Sequence, residues 1–260
     1  MSNEWHGYVG KILRVNLSKR QIFVQELNKE EAIMFIGGSG LAAKIIYDEV
    51  NPDVAPYSPK NRLIFMTGPL EGTIVPCSSR YAVAARSPLT GAWGEAHASG
   101  FWASELKSAG FDGIVIEGKA ASPTCIKITD EDVELVDASG LWGLGCLDAE
   151  KTFKADYGDE FKVVCIGPAG ERLVRYASII GDEGRAAGRC GMGAVMGSKN
   201  LKAIAVKGSG RVQVADLKRL RSMIRRLYPV VMSFPTTQIH SAYGTNGEME
   251  PFYEYGDVPI

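Results

Sequence analysis

The chain has 260 residues, 45% of them hydrophobic and 23% charged, enough for one sizeable core or for one core and the start of another. A net charge of -1 with acids and bases well mixed leaves no field to attract nucleic acid or an anionic membrane, and no apolar stretch approaches the roughly 18 residues that cross a bilayer. The opening MSNEWHGYVG has no apolar leader segment, so the expected location is the cytoplasm.

Over residues 8–27 apolar and polar side chains alternate around NLSKRQ, which predicts a β-hairpin. Its buried face would carry Ile12, Leu13, Val15, Leu17, Ile22, Val24 and Leu27. Asn28 is placed to cap a helix beginning at Lys29, interrupted at Gly37-Gly38-Ser39-Gly40. A second helix over 41–50 would then carry Ala42, Ile45, Ile46 and Val50 at helical spacing.

The next 150 residues say one thing twice. NRLIFMTGPLEGTIVPCSSRYAVAARS, from Asn61, leads through ASGFWASELKSAG to GIVIEGKA. FKVVCIGPAGERLVRYASIIGDEGRAAGRC, from Phe161, leads through GMGAVMGSKN to KAIAVKGSG. Each copy reads strand, Gly-Pro, loop, Arg-Tyr-Ala on a second strand, Gly/Ala-rich turn, small-residue helix and a strand of the form I-x-V-x-G. A strand pair (TCIKITD, then DVELVDA) and a helix over 148–157 separate the copies. A unit duplicated in this way offers two related surfaces and suits a ligand with two similar halves.

Beyond Gly210 the composition changes to an amphipathic basic helix, ADLKRLRSMIRRLYPVVMS, and a polar, turn-rich remainder. We therefore expect residues 1–210 to form one domain and 211–260 to begin a second, mainly helical one. Lys218, Arg219, Arg221, Arg225 and Arg226 read as a solvated helix face, since one such helix in a neutral chain is a poor nucleic-acid signal. The cysteines, Cys77, Cys125, Cys146, Cys165 and Cys190, are odd in number and match no disulfide or metal-knuckle spacing. They read as small buried hydrophobes, with Cys77 and Cys190 set apart by their Gly/Ser/Arg-rich loops.

Candidate chemistry lies in the loops of the two copies. GRAAGRCGMG sets Arg185 and Arg189 four apart in a small-residue run that opens onto a helix over 192–200. Backbone N–H groups, a positive helix end and two guanidinium groups would suit a phosphate or pyrophosphate. In the first copy Arg80 lies on the Arg-Tyr-Ala strand, and His97-Ala98-Ser99-Gly100 precede a helix over 101–109. Gly191-Met-Gly193-Ala-Val-Met-Gly197 has one residue too many for a dinucleotide fingerprint, and no acidic residue follows about 20 positions on.

GRAAGRCGMGAVMGSKNLKAIAVKG, GPAGERLVRYASI, GPLEGT, SSRYAVAARSPLTG and ELKSAGFDGIVIEGKA, with the opening GKILRVNLS and IGGSGLAAKIIYDEV, together resemble the N-terminal domain of the aldehyde ferredoxin oxidoreductase family. The likeness runs over about the first 210 residues. It implies an α+β fold, in which mixed β-sheets with an internal pseudo-twofold duplication form the base for a tungsten (or molybdenum) bis-pterin. It also implies phosphate and pterin contacts at Arg80, Ser99, Arg185, Gly188 and Arg189, and a magnesium ion bridging the pterin phosphates on the main-chain carbonyls of His97 and Ala186. Three positions depart from the family pattern: His97 for a common Asn, and Ser99 and Cys190 for a common Gly.

The resemblance further implies oxidation of a small aldehyde to a carboxylic acid, with ferredoxin or another carrier taking the electrons. The family's 4Fe-4S cluster needs a CxxCxxxC group that is absent here, so the cluster and substrate pocket are expected beyond Ile260, in a chain about twice as long, and this piece alone should not turn over substrate. A related carboxylate- or ring-reducing enzyme, or a non-catalytic pterin-binding fragment, stays open, as does a homo-oligomer.

Overall fold

The computed structural model describes residues 5–130 and 132–257. Contacts divide the chain into two units, one of residues up to Thr73 with Cys77–Val214, the other of Ile74–Pro76 with the residues from Ala215.

In the first unit the duplication is larger than the sequence repeat. The first copy runs β1 (Lys11–Asn16), β2 (Gln21–Glu26), α1 (Lys29–Phe35), α2 (Gly38–Glu49), β3 (Leu63–Met66), β4 (Arg80–Arg86), β5 (Trp93–Ser99), α3 (Trp102–Ser108) and β6 (Gly113–Glu117). The second runs β7 (Thr124–Thr129), β8 (Asp132–Asp137), α4 (Cys146–Tyr157), β9 (Lys162–Cys165), α5 (Pro168–Glu171), β10 (Ile179–Gly181), β11 (Arg185–Ala187), α6 (Met192–Ser198) and β12 (Leu201–Lys207). Each copy builds one six-stranded sheet, ordered β2-β1-β6-β3-β4-β5 and β8-β7-β12-β9-β10-β11. In both, only the pairing of the last strand with the first, β1 with β6 and β7 with β12, is parallel. The hairpin over 124–137, expected as a spacer, is thus the second copy's version of β1-β2. Low sequence likeness hid it, while strand order and direction reveal it.

Pleating sends alternate residues of each strand to opposite faces, and that alternation builds three cores. Leu13, Val15 and Phe65 of the first sheet and Ile126, Val164 and Ile204 of the second share one buried cluster with α3 and α6. On the outer face of the first sheet Ile12, Ile64 and Met66 pack under α1 and α2. On the outer face of the second, Cys125, Val163 and Cys165 pack under α4. The crossover helices tie the copies together: α3 lies against β9 and β12 of the other copy, and α6 against β3, β4 and β5. Trp102 of α3 is fully buried and donates from Nε1 to the Ile204 carbonyl at 3.0 Å.

Asn28 caps α1 as expected, its Oδ1 accepting from the Glu30 and Glu31 amides. Three expectations need correction. Val24 is 46% exposed and Ile22 only half-buried, because β2 is an edge strand: they pair with Leu13 and Val15 on the inner face, at the rim of the shared core, which covers them only in part. The second helix starts at Gly38, since Gly37 rather than the whole Gly-rich run breaks the chain. Arg175-Tyr176-Ala177 of the second copy lies in the turn before β10, not on a strand, so Tyr176 is 70% exposed where Tyr81 is 2%.

In the second unit α7 (Leu217–Ser233), α8 (Pro235–Tyr243), a 3-10 turn (Gly244–Glu248) and α9 (Met249–Glu254) follow one another. Asp216 caps α7 by accepting from the Arg219 amide, and the five basic residues of α7 are all exposed. Among the described residues no helix is long and apolar enough to cross a membrane.

A candidate anion-binding seam between the two copies

The edge strands β5 and β11, equivalent in the two copies, lie side by side. At one end a Cβ on Gly94 would stand 2.9 Å from the Cys190 Cβ. At the other, Asp182 Oδ2 accepts from the amides of Phe101 (2.6 Å) and Trp102 (3.2 Å). The strands therefore run antiparallel, with His97 and Ala186 near the middle of the seam. To within one residue, the two end contacts are the pair that a twofold equating His97 with Ala186, and Ser99 with Gly188, would exchange.

Alternation along β5 buries Ala96 and Ala98 in the shared core and turns Glu95, His97 and Ser99 outward. Arg80 sits directly across from Ser99 on β4, in the same exposed row. On the other side of the seam Arg185, Ala186, Gly188 and Arg189 are all exposed, while Ala187 is buried. The seven residues named from sequence thus gather along one seam on one surface. It is an open face: cavities of about 580 Å³ beside Phe35, Tyr47 and Trp93, and about 510 Å³ beside Trp5, Lys107 and Arg211, do not include it.

Three guanidinium groups, Arg80, Arg185 and Arg189, stand here without an ion pair to any carboxylate among the described residues. By contrast Arg14 and Arg62 both clasp Glu49. Exposed arginines beside main-chain oxygens of two edge strands form a donor set suited to phosphates and to a hard cation between them. No group of three or more His, Cys, Asp or Glu that would hold a metal occurs among the described residues.

The expected role for the start of α6 does not survive. Met192 and Gly193 are buried, and the Gly193 amide donates to the Ala177 carbonyl at 2.9 Å. The glycines of that run serve packing: a Cβ on Gly191, Gly193 or Gly197 would meet the carbonyl oxygens of Arg175, Ser178 or Gly170 at 1.9, 2.4 and 2.1 Å. Gly188 alone of the four looks outward, with its nearest neighbour, Ser178 Oγ, 3.7 Å from a Cβ. Ser99 needs no special backbone, since it is an ordinary strand residue paired with Arg80. Cys190 does bear a conformational cost, at φ 59° in the left-handed region that favours glycine.

Sequence reasoning missed four residues. Ser39, in the first turn of α2, puts its Oγ 3.2 Å from His97 Nε2. Glu95 lies 3.5 Å from the same nitrogen. Asp182 caps α3 from the other copy, and the acid in GDEGR was its available signal. Glu71, one residue beyond the Gly-Pro-Leu of the first copy, is buried, and burial holds its carboxyl above the usual range despite the bond it accepts from Ser104 Oγ at 2.5 Å.

A duplicated two-sheet domain with an arginine-lined seam between its copies is the class of protein that this geometry defines. The model of the aldehyde ferredoxin oxidoreductase N-terminal domain matches residues 12–208. The tungsten-containing aldehyde ferredoxin oxidoreductase of Pyrococcus furiosus is 48% identical over 221 residues, 85% of this chain and 36% of its own length. The aliphatic sulfonate oxidoreductase WOR-like subunit of the same organism is 34% identical over 248 residues, 89% of this chain and 39% of its own. Among solved structures, a chain of the BamBC active-site complex of benzoyl coenzyme A reductase, in complex with 1,5-dienoyl-CoA, superposes with a TM-score of 0.85 at 36% identity, covering 87% of this chain and 35% of that one. The chain belongs to the aldehyde ferredoxin oxidoreductase family, as its N-terminal domain. It spans about a third of the length of these relatives.

Proposed function

We propose that this chain is the cofactor-holding domain of a tungsten (or molybdenum) bis-pterin oxidoreductase that oxidises aldehydes to carboxylic acids and passes the electrons to ferredoxin or a similar carrier. The observation that carries this reading is the row of three arginines without an ion pair among the described residues, along the seam between two equivalent edge strands. Arg80 and Ser99 would hold one pterin phosphate, and Arg185, Gly188 and Arg189 the other. The carbonyls of His97 and Ala186, central and related by the pseudo-twofold, would hold a magnesium ion between the phosphates. A carbonyl contact tolerates His in place of Asn, so the departure at His97 does not weaken that role.

The bis-pterin, when bound, supplies the two-electron redox chemistry. The chain's own work is to bind and orient. Each charge-assisted hydrogen bond contributes about 1.5–3 kcal/mol, so four to six would hold a phosphorylated cofactor tightly. The seam is open, so this reading needs a further surface to exclude water, and it assigns the substrate pocket and the 4Fe-4S cluster to a part of the protein outside these residues. It also keeps the protein in the cytoplasm. The 34% identity to a sulfonate oxidoreductase subunit favours a second reading in which the base is kept and the substrate differs. Metal and pterin analysis of protein from its native host tests the shared part: tungsten or molybdenum at about one per chain supports it, and wild-type cofactor content in the Arg185→Ala/Arg189→Ala double variant would sink the phosphate-gripping role. Turnover of aldehydes against sulfonates separates the two readings.

A further inference from the structure

On the outer face of the second sheet, away from the seam, two free thiols meet. Cys146 is the first residue of α4 and Cys165 the last of β9. Cys165 Sγ donates to the Cys146 carbonyl at 3.5 Å and Cys146 Sγ to the Cys165 carbonyl at 3.9 Å. Such reciprocal approach of side chain to backbone brings both sulfurs into one small space. Cys165 is buried at 1% exposure, whereas Cys146 is only half-buried. The neighbouring cation is Lys202, wholly buried, donating to the Leu144 carbonyl at 2.9 Å and to Glu171 Oε1 at 2.5 Å.

We propose that Cys146 and Cys165 form a redox-active dithiol that a hydroperoxide oxidises to an intramolecular disulfide, with Cys146 attacking and Cys165 resolving. The hydrogen bond from Cys165, aided by the Lys202 ammonium, lowers the Cys146 thiol below its ordinary range, while the same coupling and burial push Cys165 up. The Cys146 thiolate attacks the O–O bond and becomes a sulfenic acid, releasing one alcohol or water. The Cys165 sulfur then attacks the sulfenic sulfur and expels a second water. Two electrons pass from the two sulfurs to the peroxide, and both thiol protons leave in the products.

The other cysteines do not compete. Cys125 lies in the same cross-strand row as Cys165 but two strands away through Ala203, roughly 9–10 Å, beyond the reach of a disulfide. Burial also pushes its thiol up to about 12. Cys77 and Cys190 lie in their Gly/Ser/Arg-rich loops, and the adjoining pair is Cys146 with Cys165.

The test treats the reduced full chain with a small excess of hydrogen peroxide, blocks remaining thiols with N-ethylmaleimide, and reads intact mass and peptide map. We expect the loss of two hydrogens, with the Cys146 and Cys165 peptides linked, about tenfold faster in the folded chain than in urea. In Cys165→Ser a dimedone-type probe should trap sulfenic acid at Cys146, and Cys146→Ser should form no bridge. A linked pair at other cysteines, equal rates folded and in urea, or no bridge at a dose that oxidises glutathione would each overturn the proposal. If the serine variants fail to fold, the map of the unsubstituted chain decides alone.

Discussion

The two copies share strand order, strand direction and helix placement, yet they arm the seam differently. The first brings one arginine, Arg80, and bulkier side chains at His97 and Ser99. The second brings Arg185 and Arg189 beside Ala186 and Gly188, which leave the backbone open. The helix ends differ as well: α3 takes a carboxylate cap, Asp182, from the other copy, whereas the first turn of α6 is buried and bonded to a carbonyl. Duplication preserved the buried alternation that folds the sheets and left the exposed positions to diverge. A fold can therefore be symmetric while the charge it presents is not.

The sharpest way to break this comparison is at the arginines of the second copy. Arg185→Ala with Arg189→Ala should weaken retention of a phosphorylated cofactor by about 3–6 kcal/mol, a loss of two to four decades, read as metal and pterin content after dialysis. Arg80→Ala should cost about half as much, and equal losses would mean that the two halves grip alike.

A buried cation that ties the copies comes next. Lys199 donates to the carbonyls of Asn61 (2.6 Å), Gly118 (3.2 Å) and Pro59 (3.4 Å). Lys199→Met would take this donor from the Asn61 and Gly118 carbonyls, while the Pro59 carbonyl keeps the Gly118 amide, and cost about 2–5 kcal/mol in denaturant unfolding. Burial, with the Arg62 guanidinium nearby, pulls the Lys199 ammonium down to about 7. Between there and its ordinary value the unfolded chain holds more protons at this residue than the folded one, so this group's contribution to stability rises with pH. The stability gap between the unsubstituted chain and Lys199→Met should accordingly widen from pH 7 to pH 9.

Asp182→Ala removes the cap that the second copy gives the first, and should lower stability by about 1 kcal/mol while leaving the arginine row in place. The smallest expected effect is at His97. If its carbonyl is the contact, His97→Ala should leave metal content within about twofold and stability within about 0.5 kcal/mol, as surface substitutions generally do. A tenfold loss of metal would instead implicate the imidazole, which Ser39 and Glu95 flank.

Much of this was legible in the residues themselves. Alternation in GKILRVNLS and in the I-x-V-x-G strands gave the hairpin and core strands, because a half-buried strand must repeat every two residues. Asn28 announced its helix, because its short side chain satisfies the first free amides. Arg185 and Arg189 stand out as cations in a small-residue run, and Arg80 by its place at the Arg-Tyr-Ala strand of the other copy. The second hairpin's kinship with the first was not legible, since strand order and direction are relations between distant segments. Nor was the division of labour among the glycines: Gly191, Gly193 and Gly197 make room for carbonyls from elsewhere in the fold, and Gly188 does not.

From the sequence alone came the alternation, the caps, the doubled motif and the family resemblance, all of which local periodicity and short-range chemistry encode. Tertiary structure decided that β5 and β11 meet, that His97 and Ala186 share the middle of that seam, and that Asp182 and Ser39 belong beside it. It also decided that Cys146 faces Cys165. Each of these is a meeting of segments that are not neighbours in the chain, enforced by burial of the shared core between the sheets or, for the thiols, of the cluster under α4, and no local pattern carries it.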